Sequence, residues 1–548
     1  MKYFSFVLFT ILILTGCTAL AEKDGPKICG DFEYRLLADG TAEITDYLKP
    51  NDYAYAAEGA ELIIPEHLDG YPVSSIGEEA FTYAYTYSSV RIPHSVMHIG
   101  NRAFYGCDAL NEIILPEHLQ SIGDYSFGLC YDLKEIFIPD SVVSIGENPF
   151  SSCSALEKIH ISPQHPVLAL ADGVLFDKIS SSLICCPPAA PIRIYTVQEG
   201  TLSIGDYAFI GCDALESVIL TDGVMHIGAY SFAGCQKLKS VVLPDSVVSI
   251  GNGAFSQCRA LTDIRLSEGL IRIGHSAFEN CISLTGIALP EGIVSIGDHA
   301  FSGCIVLHEI NLPGSICSMG VNPFRASGIR AFRTTPDHAY LTVIDGALFS
   351  KPDRRLISYP CALESTFYII PDGTQLIGED AFYSCMSLVY IAVPESVVFI
   401  GEGAFIWCGN LIDINIPDGI PSIENYTFLG CYSLKEIELP ESITTIGTEA
   451  FGSTSLTKLD IPDGVVSIGN EAFSFSRLIR ITLPGSITDI GSGILYETIN
   501  LHSVTVEKGS CAEQYCIEND LPYIYSDGSA PEPRSLPAWP TDYTGNID

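Results

Sequence analysis

Positive charge is scarce in this chain. Its 548 residues include 28 lysines and arginines against 66 aspartates and glutamates, which gives a formal net charge of −38 at pH 7. A surface of this sign repels phosphate backbones, so we expect no nucleic acid among the partners. It favours solubility, cations or basic partners, and the simplest interpretation is a solvated acidic exterior.

The common motifs of catalysis and metal binding are also missing. The chain has no G-x-S-x-G, H-E-x-x-H, G-x-x-x-x-G-K-[ST] or C-x-x-C segment. His94 and His98 have i, i+4 spacing, but they fall in a predicted loop and not on a helix. Carboxylates could pair by chance across the fold as in glycosidases, yet nothing singles out one pair. We therefore expect no catalytic residues, no cofactor and no metal.

Long hydrophobic runs are limited to the start of the chain. Lys2 precedes the apolar residues 4–13, a run too short to span a bilayer comfortably. The following Leu-Thr-Gly-Cys17 resembles the lipobox of bacterial lipoproteins. That resemblance implies lipid transfer to the Cys17 sulfur, cleavage before it and retention on a membrane by acyl chains. The expected protein is exported, lipid-anchored and exposed at the cell surface; the alternative is an ordinary signal peptide with an incidental cysteine.

The most prominent feature of the sequence is a repeated pair of residues. Ile-Gly, or a close variant, returns every 23 residues within three runs of the chain, with two steps of 22 near the end. A fixed period of this size is typical of a solenoid, in which each unit buries its apolar side only against its neighbours. The isoleucine positions, here called clock positions, are Ile76, Ile99, Ile122 and Ile145; Ile204, Ile227, Ile250, Ile273, Ile296 and Met319; and Ile377, Ile400, Ile423, Ile446, Ile468 and Ile490.

The unit over residues 99–121 shows how one period should fold. Apolar and polar residues alternate over residues 110–115, which predicts a strand with one buried face, and Pro116 ends that strand. Gly123 of the next unit then permits a tight turn. Phe127 and the next two apolar residues follow at spacing three, which suits a short α or 3₁₀ turn with one buried side.

The whole unit resembles the BspA-type leucine-rich repeat of bacterial surface proteins. Its pattern is L-x-x-I-x-Φ-P-x-x-Φ-x-x-I-G-x-x-A-F-x-x-C, where Φ is apolar, and it covers about residues 60–510, with mild departures such as Glu424 in place of glycine. The resemblance implies an α/β solenoid of 22–23-residue repeats, mostly β and irregular, with parallel strands on a concave face and short α or 3₁₀ turns. It also implies attachment to host matrix proteins or to other bacteria.

Two longer segments interrupt the period and divide the chain. Each contains a related sequence, at residues 172–178 and 345–351, followed by a second apolar run, which predicts an inserted β-hairpin. The expected organisation is a signal peptide at 1–16, a linker and hairpin cap at 17–59, block 1 at 60–160, an insertion at 161–200, block 2 at 201–330, an insertion at 331–373, block 3 at 374–506, a C-terminal cap at 507–525 and a disordered tail at 526–548.

The two caps have their own signals. Asp39-Gly40 lies between two strand-like segments and predicts a hairpin that shields the first coil. Near the other end, a short helix is expected after Ser510, with a last strand at residues 521–525. No further hydrophobic run is long enough to cross a bilayer.

Cysteine is abundant, with 19 residues, but its spacing argues against a disulfide framework. Stacked side chains in neighbouring coils run parallel, which suits neither a disulfide torsion nor metal ligation. We expect buried free thiols in a slot for small side chains. Eleven cysteines lie eight residues after a clock position: Cys107, Cys130, Cys153, Cys212, Cys235, Cys258, Cys281, Cys304, Cys385, Cys408 and Cys431.

Binding residues are expected on the strand face, where outward positions vary while inward ones hardly change. Aromatic, apolar and charged groups there are the candidate anchors: Phe137, His160, Arg265, Tyr390, Ile412 and Asp413. The leading hypothesis is a membrane-anchored surface protein that binds an extracellular protein or polysaccharide, as in adhesion. One alternative is a structural or envelope-assembly protein that binds the cell's own wall, and a remote one is a glycan-active enzyme.

Overall fold

The computed structural model describes residues 25–48 and 60–531, and in it the chain winds through about 20 stacked coils. Most coils contribute two short strands, each paired in parallel with its counterparts in the neighbouring coils. The strand that precedes the proline belongs to ladder A, and the two-residue strand that ends at the clock position belongs to ladder B. The solenoid of parallel strands that the repeat predicts is confirmed.

Ladder A consists of six short sheets, and in most of its three-residue strands the middle residue points inward. Ile136, for example, is buried while its neighbours Glu135 and Phe137 are exposed. The strands are Glu61–Ile63, Ser89–Arg91, Glu112–Ile114, Glu135–Phe137, Lys158–His160, Ile194–Thr196, Ser217–Ile219, Ser240–Val242, Asp263–Arg265, Glu309–Leu312, Ala331–Thr334, Phe367–Ile369, Tyr390–Ala392, Asp413–Ile414, Lys458–Asp460, Arg480–Thr482, Ser503–Val506 and Tyr523–Tyr525.

Ladder B runs beside ladder A and is more continuous. In block 2 one unbroken series of parallel pairs joins Ser203 to Ser318. The strands are Tyr71–Ile76, His98–Ile99, Ser121–Ile122, Ser144–Ile145, Ser203–Ile204, His226–Ile227, Ser249–Ile250, Arg272–Ile273, Ser295–Ile296, Ser318–Met319, Leu376–Ile377, Phe399–Ile400, Ser422–Ile423, Thr445–Ile446, Ser467–Ile468 and Asp489–Ile490, with His67–Leu68 antiparallel to the first.

Three antiparallel meanders open the three blocks. The third strand of each meander pairs in parallel with the first ladder B strand of the block that follows. The predicted hairpins are confirmed: each consists of the second and third strands of a meander. The first strand of each meander is an addition to the prediction. The meander strands are Lys27–Cys29, Phe32–Leu36 and Ala42–Tyr47; Leu168–Ala171, Val174–Asp177 and Ser182–Cys185; and Leu341–Ile344, Ala347–Ser350 and Arg355–Ser358.

The second and third meanders separate three hydrophobic cores. Val174 and Phe176 pack in the core of block 2, whereas Leu175 between them packs in the core of block 1. Such alternation is what a strand provides when both of its faces are covered. Ladder A also starts earlier than the predicted block boundaries, because Ile194–Thr196 and Phe367–Ile369 already pair with the next coil. Blocks 2 and 3 are therefore taken to include these strands.

Each insertion carries a buried histidine that the sequence analysis did not single out. His165 and His338 are 0% and 1% exposed. The Nε2 of His338 forms a hydrogen bond of 3.0 Å with the Pro313 carbonyl oxygen. Its Nδ1 accepts a hydrogen bond of 3.0 Å from the Leu341 N–H. The Lys351 ammonium donates to the His338 carbonyl. The contact with Pro313 joins the insertion to the preceding coil, and the other two hold His338 in place within the insertion.

The segment after each clock position is not helical, which corrects the expected short α or 3₁₀ turns. It contains separate i+3→i turns, such as Tyr105 N–H to the Arg102 carbonyl. Arg102 and Gly106 have φ of 52° and 69°. The N–H of Phe104 instead donates to Ser126 in the next coil. Left-handed residues at these points interrupt any helix, so the peptide groups bond between coils rather than within one.

Phenylalanine and glycine set the spacing between coils. The rings of Phe232, Phe255 and Phe278 are nearly parallel, with centroids 5.3 and 5.4 Å apart. A Cβ on Gly251 would lie 2.6 Å from the Ala229 nitrogen of the preceding coil. This glycine has no positive φ, so its role is close approach between coils and not the turn conformation predicted for Gly123 and its counterparts.

The cysteine column is confirmed. All eleven column cysteines are free and buried. In ten of them the thiol donates to a carbonyl of the preceding coil; Cys258, for example, lies 3.0 Å from the Phe232 oxygen. Burial raises the pKa of Cys107 to about 12, which keeps that thiol protonated. Cys317 and Cys511 lie outside the column and are exposed.

The predicted caps are present, but the predicted tail needs a correction. Phe32–Leu36 and Ala42–Tyr47 form the N-terminal hairpin, and the helix Cys511–Glu518 follows its N-cap Ser510. Beyond the last strand the described residues are ordered by hydrogen bonds, since Tyr525 N–H donates to the Ser529 carbonyl. The rest of the predicted tail, residues 532–548, lies outside the described residues, as do residues 1–24 with Cys17.

Candidate ligand-binding face

Ladder A presents two outward rows because the residues before and after each buried middle residue face solvent. Paired strands place equivalent outward residues side by side; Phe137, for example, pairs with His160. Neighbouring strands lie about 4.8 Å apart, so side chains of the same row touch. The six candidate residues from the sequence analysis all lie on or directly beside this ladder, in three separate sheets.

The first group is Phe137 with His160 in block 1. Their rings stack with centroids 4.2 Å apart and planes 7° from parallel. The His160 Nε2 lies 3.0 Å from a Glu135 carboxylate oxygen, which orients the imidazole. Phe137 nevertheless remains 61% exposed. This arrangement forms a flat aromatic shelf that a partner could cover.

Arg265 stands apart from the other candidates. It ends the strand Asp263–Arg265 in block 2 and is exposed beside its register partner Val242, which is 54% exposed. Its backbone carbonyl accepts a hydrogen bond from Leu243. Arg265 therefore lies in a different sheet from the other five candidates and is not brought together with them.

The second group lies at the start of block 3. Tyr390 and Asp413 are register partners on adjacent strands, and Ile412 directly precedes the second strand. Tyr390 is 51% exposed and Ile412 is 45% exposed. The sequence prediction that these three residues share the outward face of ladder A agrees with the structure.

Two exposed residues that the sequence analysis missed complete this group. Phe367 and Ile369 are 62% and 64% exposed, and Phe367 pairs with Tyr390. The sequence did contain a signal for them. Tyr368 stands nine residues before the clock position Ile377, as inward ladder A residues do, so its two neighbours must point outward. The four large side chains are called the ladder A patch: Phe367, Ile369, Tyr390 and Ile412.

Charged residues lie on both sides of the ladder A patch. Before it, Arg333 donates through Nε and Nη2 to one Glu309 carboxylate oxygen at 3.1 and 3.0 Å. After it, Lys458 is paired with Asp460. An apolar patch with a charged rim is typical of a surface that a partner covers, because the apolar centre loses water while the rim stays solvated.

A cleft of about 600 Å³ also lies between blocks 2 and 3. Its buried Asp380 is held by His299 at 3.2 Å and Arg325 at 3.3 Å. The Arg325 guanidinium lies 3.7 Å from the centroid of the Tyr383 ring. The charged groups at its base thus have partners within the protein. Within residues 25–48 and 60–531, no three His, Cys, Asp or Glu side chains are arranged to hold a metal ion.

The family model for the BspA-type leucine-rich repeat region matches this chain in six copies, over residues 74–171, 196–349, 358–460 and 398–520. The chain belongs to this family. The matched residues include most of all three blocks and of the second insertion, whereas residues 172–195 of the first insertion lie outside the match. The block structure described above is therefore the BspA-type repeat itself, and not an arrangement that merely resembles it.

Similar solved structures come from several bacteria. A leucine-rich cell surface protein of Faecalibacterium prausnitzii is 24% identical over 90% of this chain and 98% of its own, with a TM-score of 0.39. A leucine-rich repeat protein of Bacteroides ovatus is 24% identical over 91% and 99%, with a TM-score of 0.30. One from Bacteroides capillosus is 33% identical over 25% and 99%, with a TM-score of 0.22. No curated protein matches the chain.

The BspA-type chain has one helix in its described residues, and that helix is only eight residues long. In the described part of the chain, no helix has both the length and the apolar character that a membrane crossing requires.

Proposed function

We propose that this BspA-type protein is lipid-anchored at the bacterial surface and binds an extracellular protein through ladder A, as an adhesin does. The observation that carries the proposal is the ladder A patch, in which four large side chains on or directly beside adjoining strands are 45–64% exposed. Monomeric soluble proteins rarely leave such side chains grouped on one surface without an interaction partner.

The architecture supports a binding role because it separates stability from recognition. Inward residues such as Ile391 and Ile414 are buried and supply the core, while outward residues on the same strands are free to vary. Aromatic anchors near the centre of an interface typically contribute more than about 1 kcal/mol each when a partner buries them. Phe367 and Tyr390 are positioned as such anchors.

A protein partner fits the ladder A patch better than a polysaccharide. Phe367 and Tyr390 could stack on a sugar ring, but Ile369 and Ile412 gain free energy only by contact with other apolar groups. A polysaccharide presents many hydroxyl groups, whose desolvation against isoleucine is unfavourable without hydrogen bonds. We therefore place a protein, such as a host matrix protein, first among the partners.

The binding proposal is tested with the double variant Phe367→Ala/Tyr390→Ala in the full mature chain. Its matched control is Ile219→Ala/Val242→Ala, because these residues are 51% and 54% exposed on ladder A of block 2. Binding to immobilised matrix proteins and to purified cell wall is measured by surface plasmon resonance. The patch variant should bind matrix protein at least about tenfold more weakly, while the control binds like the parent.

Several results would contradict this proposal. Equal binding by the two variants would remove the patch from recognition. Binding to wall alone would favour the envelope role, binding to host polysaccharide alone would exclude a protein partner, and turnover of a glycan panel would favour an enzyme.

The anchor is tested separately, since Cys17 lies outside the described residues. Cells grown with a labelled fatty acid should transfer the label to the parent protein and not to Cys17→Ala. Equal label in both proteins would exclude acylation at this residue.

A further inference from the structure

Block 2 presents a second continuous surface, on ladder B. The residue two positions before each clock position is apolar in six successive coils, and backbone hydrogen bonds of 2.8–3.0 Å join each of these residues to the next. Four of them remain 37–44% exposed, although each lies next to another apolar side chain of the same row. These six residues are called the ladder B stripe: Leu202, Met225, Val248, Ile271, Val294 and Cys317.

A column of carboxylates runs alongside the stripe. Three residues before each of the first five stripe residues stands an exposed acid. The residues directly after these acids are glycine or serine, so no bulky side chain separates the acids from the stripe. Among the ion pairs of the described residues, none involves these five carboxylates. The acidic column consists of Glu199, Asp222, Asp245, Glu268 and Glu291.

The spacing of the coils brings like charges close together in this column. Carboxylates one coil apart are separated by about 5 Å, well within the Debye length of about 8 Å at physiological ionic strength. Repulsion between carboxylates of adjacent coils is therefore only partly screened, and a positively charged partner would relieve it. On the other flank of the stripe, Arg272 and His226 interrupt a row of serines, so five acids face few basic groups.

The other blocks supply an internal comparison. Block 3 has a similar acidic column, at Asp372, Glu395, Asp418, Glu441 and Asp463, but not the apolar stripe. Its equivalent residues are a mixture of polar and apolar types: Gln375, Val398, Pro421, Thr444, Val466 and Thr488. Acidity is thus common to both blocks, whereas a continuous apolar row beside it is a property of block 2.

We infer that the ladder B stripe and the acidic column together bind a cationic amphipathic helix of a partner protein. Five steps of about 4.8 Å give a stripe about 24 Å long, the length of about 16 residues of α-helix. Leucines at i, i+3, i+4 and i+7 would cover the stripe, and lysines or arginines beside them would face the column. A second copy of this chain would bring like charges together, which opposes self-association through this surface.

The probe is a helix-forming peptide of about 16 leucines and lysines arranged with this periodicity. Its affinity for the full mature chain is measured by fluorescence anisotropy in 0.15 and 0.5 M NaCl. One comparison peptide has serine in place of leucine, and another has glutamate in place of lysine. The parent should bind the probe, bind the serine peptide at least about tenfold more weakly and not bind the glutamate peptide.

Two pairs of variants locate the site. Met225→Ser/Ile271→Ser removes apolar surface from the stripe, and Val398→Ser/Val466→Ser makes the same kind of change in block 3, where both residues are exposed. Asp222→Lys/Asp245→Lys/Glu268→Lys reverses the column, with Glu395→Lys/Asp418→Lys/Glu441→Lys as its control. Each block 2 variant should weaken binding at least about tenfold, each block 3 variant less than about threefold. Circular dichroism confirms that each variant is folded.

Several outcomes would overturn the inference. Equal loss in block 2 and block 3 variants, or tight binding of the serine peptide, would reduce the effect to general charge attraction. Stripe-dependent binding to neutral phosphatidylcholine vesicles without peptide binding would make the stripe a lipid contact. A stripe-dependent dimer in sedimentation would make it a self-interface. Phe367→Ala/Tyr390→Ala should leave peptide binding unchanged, so failure here is distinct from failure of the ladder A proposal.

Discussion

Removal of one stacked phenylalanine should weaken one block and leave the other two intact. Phe255 is fully buried, with ring centroids 5.3 Å from Phe232 and 5.4 Å from Phe278. Its replacement by alanine removes apolar burial and leaves a cavity between two coils that backbone hydrogen bonds hold in place. Such substitutions cost about 3–5 kcal/mol, of which ring contacts account for about 0.5–1.5 kcal/mol per pair.

The position of the loss follows from the meanders. Phe255 belongs to the core that extends from Val174 to Ile357, and separate cores lie on either side of it. In a stacked array a coil couples mainly to its neighbours, so a defect spreads through contacts of the same core. The meanders should stop this spread, because opposite faces of their strands belong to different cores.

Hydrogen exchange read by mass spectrometry on the full chain measures both the size and the position of the effect. In Phe255→Ala, amides of block 2 should exchange at least about a hundredfold faster, and amides of blocks 1 and 3 should be unchanged. The matched control Phe405→Ala, buried and stacked in block 3, should show the reverse pattern. A loss below about 1 kcal/mol, or equal acceleration in all three blocks, would refute the reasoning.

Three further predictions concern packing, pH and thiol chemistry. Gly251→Ala should lower the free energy of unfolding, measured in urea, by about 1–3 kcal/mol, because the added Cβ would lie 2.6 Å from a backbone atom. The control Gly286→Ala, whose Cβ would have no atom within 4 Å, should change it by less than about 0.5 kcal/mol. Equal effects would contradict this. Burial lowers the pKa of His338. The stabilising contribution of the neutral imidazole is therefore complete above about pH 6.5 and is lost as pH falls towards the lowered pKa. His338→Gln should flatten the fall in unfolding free energy between pH 7 and pH 5, and an unchanged slope would contradict this. Burial raises the pKa of column thiols such as Cys304 to about 12. With a thiol reagent at pH 8 and no reductant, the column cysteines should therefore react only after the protein is unfolded. Reaction of fewer than half of all cysteines in the unfolded chain would indicate disulfides.

The interior of each coil could be predicted from the sequence because it repeats. Ile122 and Phe127 meet the same residue types in every neighbouring coil, so period and inward direction follow directly from spacing. Both residues are buried as the pattern requires. The cysteine column follows for the same reason, since a slot that is small in one coil is small in the next.

The candidate binding face could be predicted only in part. The outward direction of Tyr390 and Ile412 follows from the period, but Phe367 stands just after an insertion, where the count of residues is interrupted. Its pairing with Tyr390 depends on how the insertion folds, and that depends on contacts such as His338 with Pro313, which lie outside the repeat. The helical turns were wrong because spacing three fits both a helix and successive turns, and left-handed residues such as Arg102 decide between them.

By itself, then, the sequence determined the coil: which residues face inward, how far apart their equivalents lie and that the units stack in parallel. The tertiary structure alone decided where one hydrophobic core ends and the next begins, and which outward side chains meet to form a surface. The physical reason is that contacts inside the stack recur with the period. Contacts made by the insertions, such as the His338 imidazole with the Pro313 carbonyl at 3.0 Å, join residues that the repeat period does not relate.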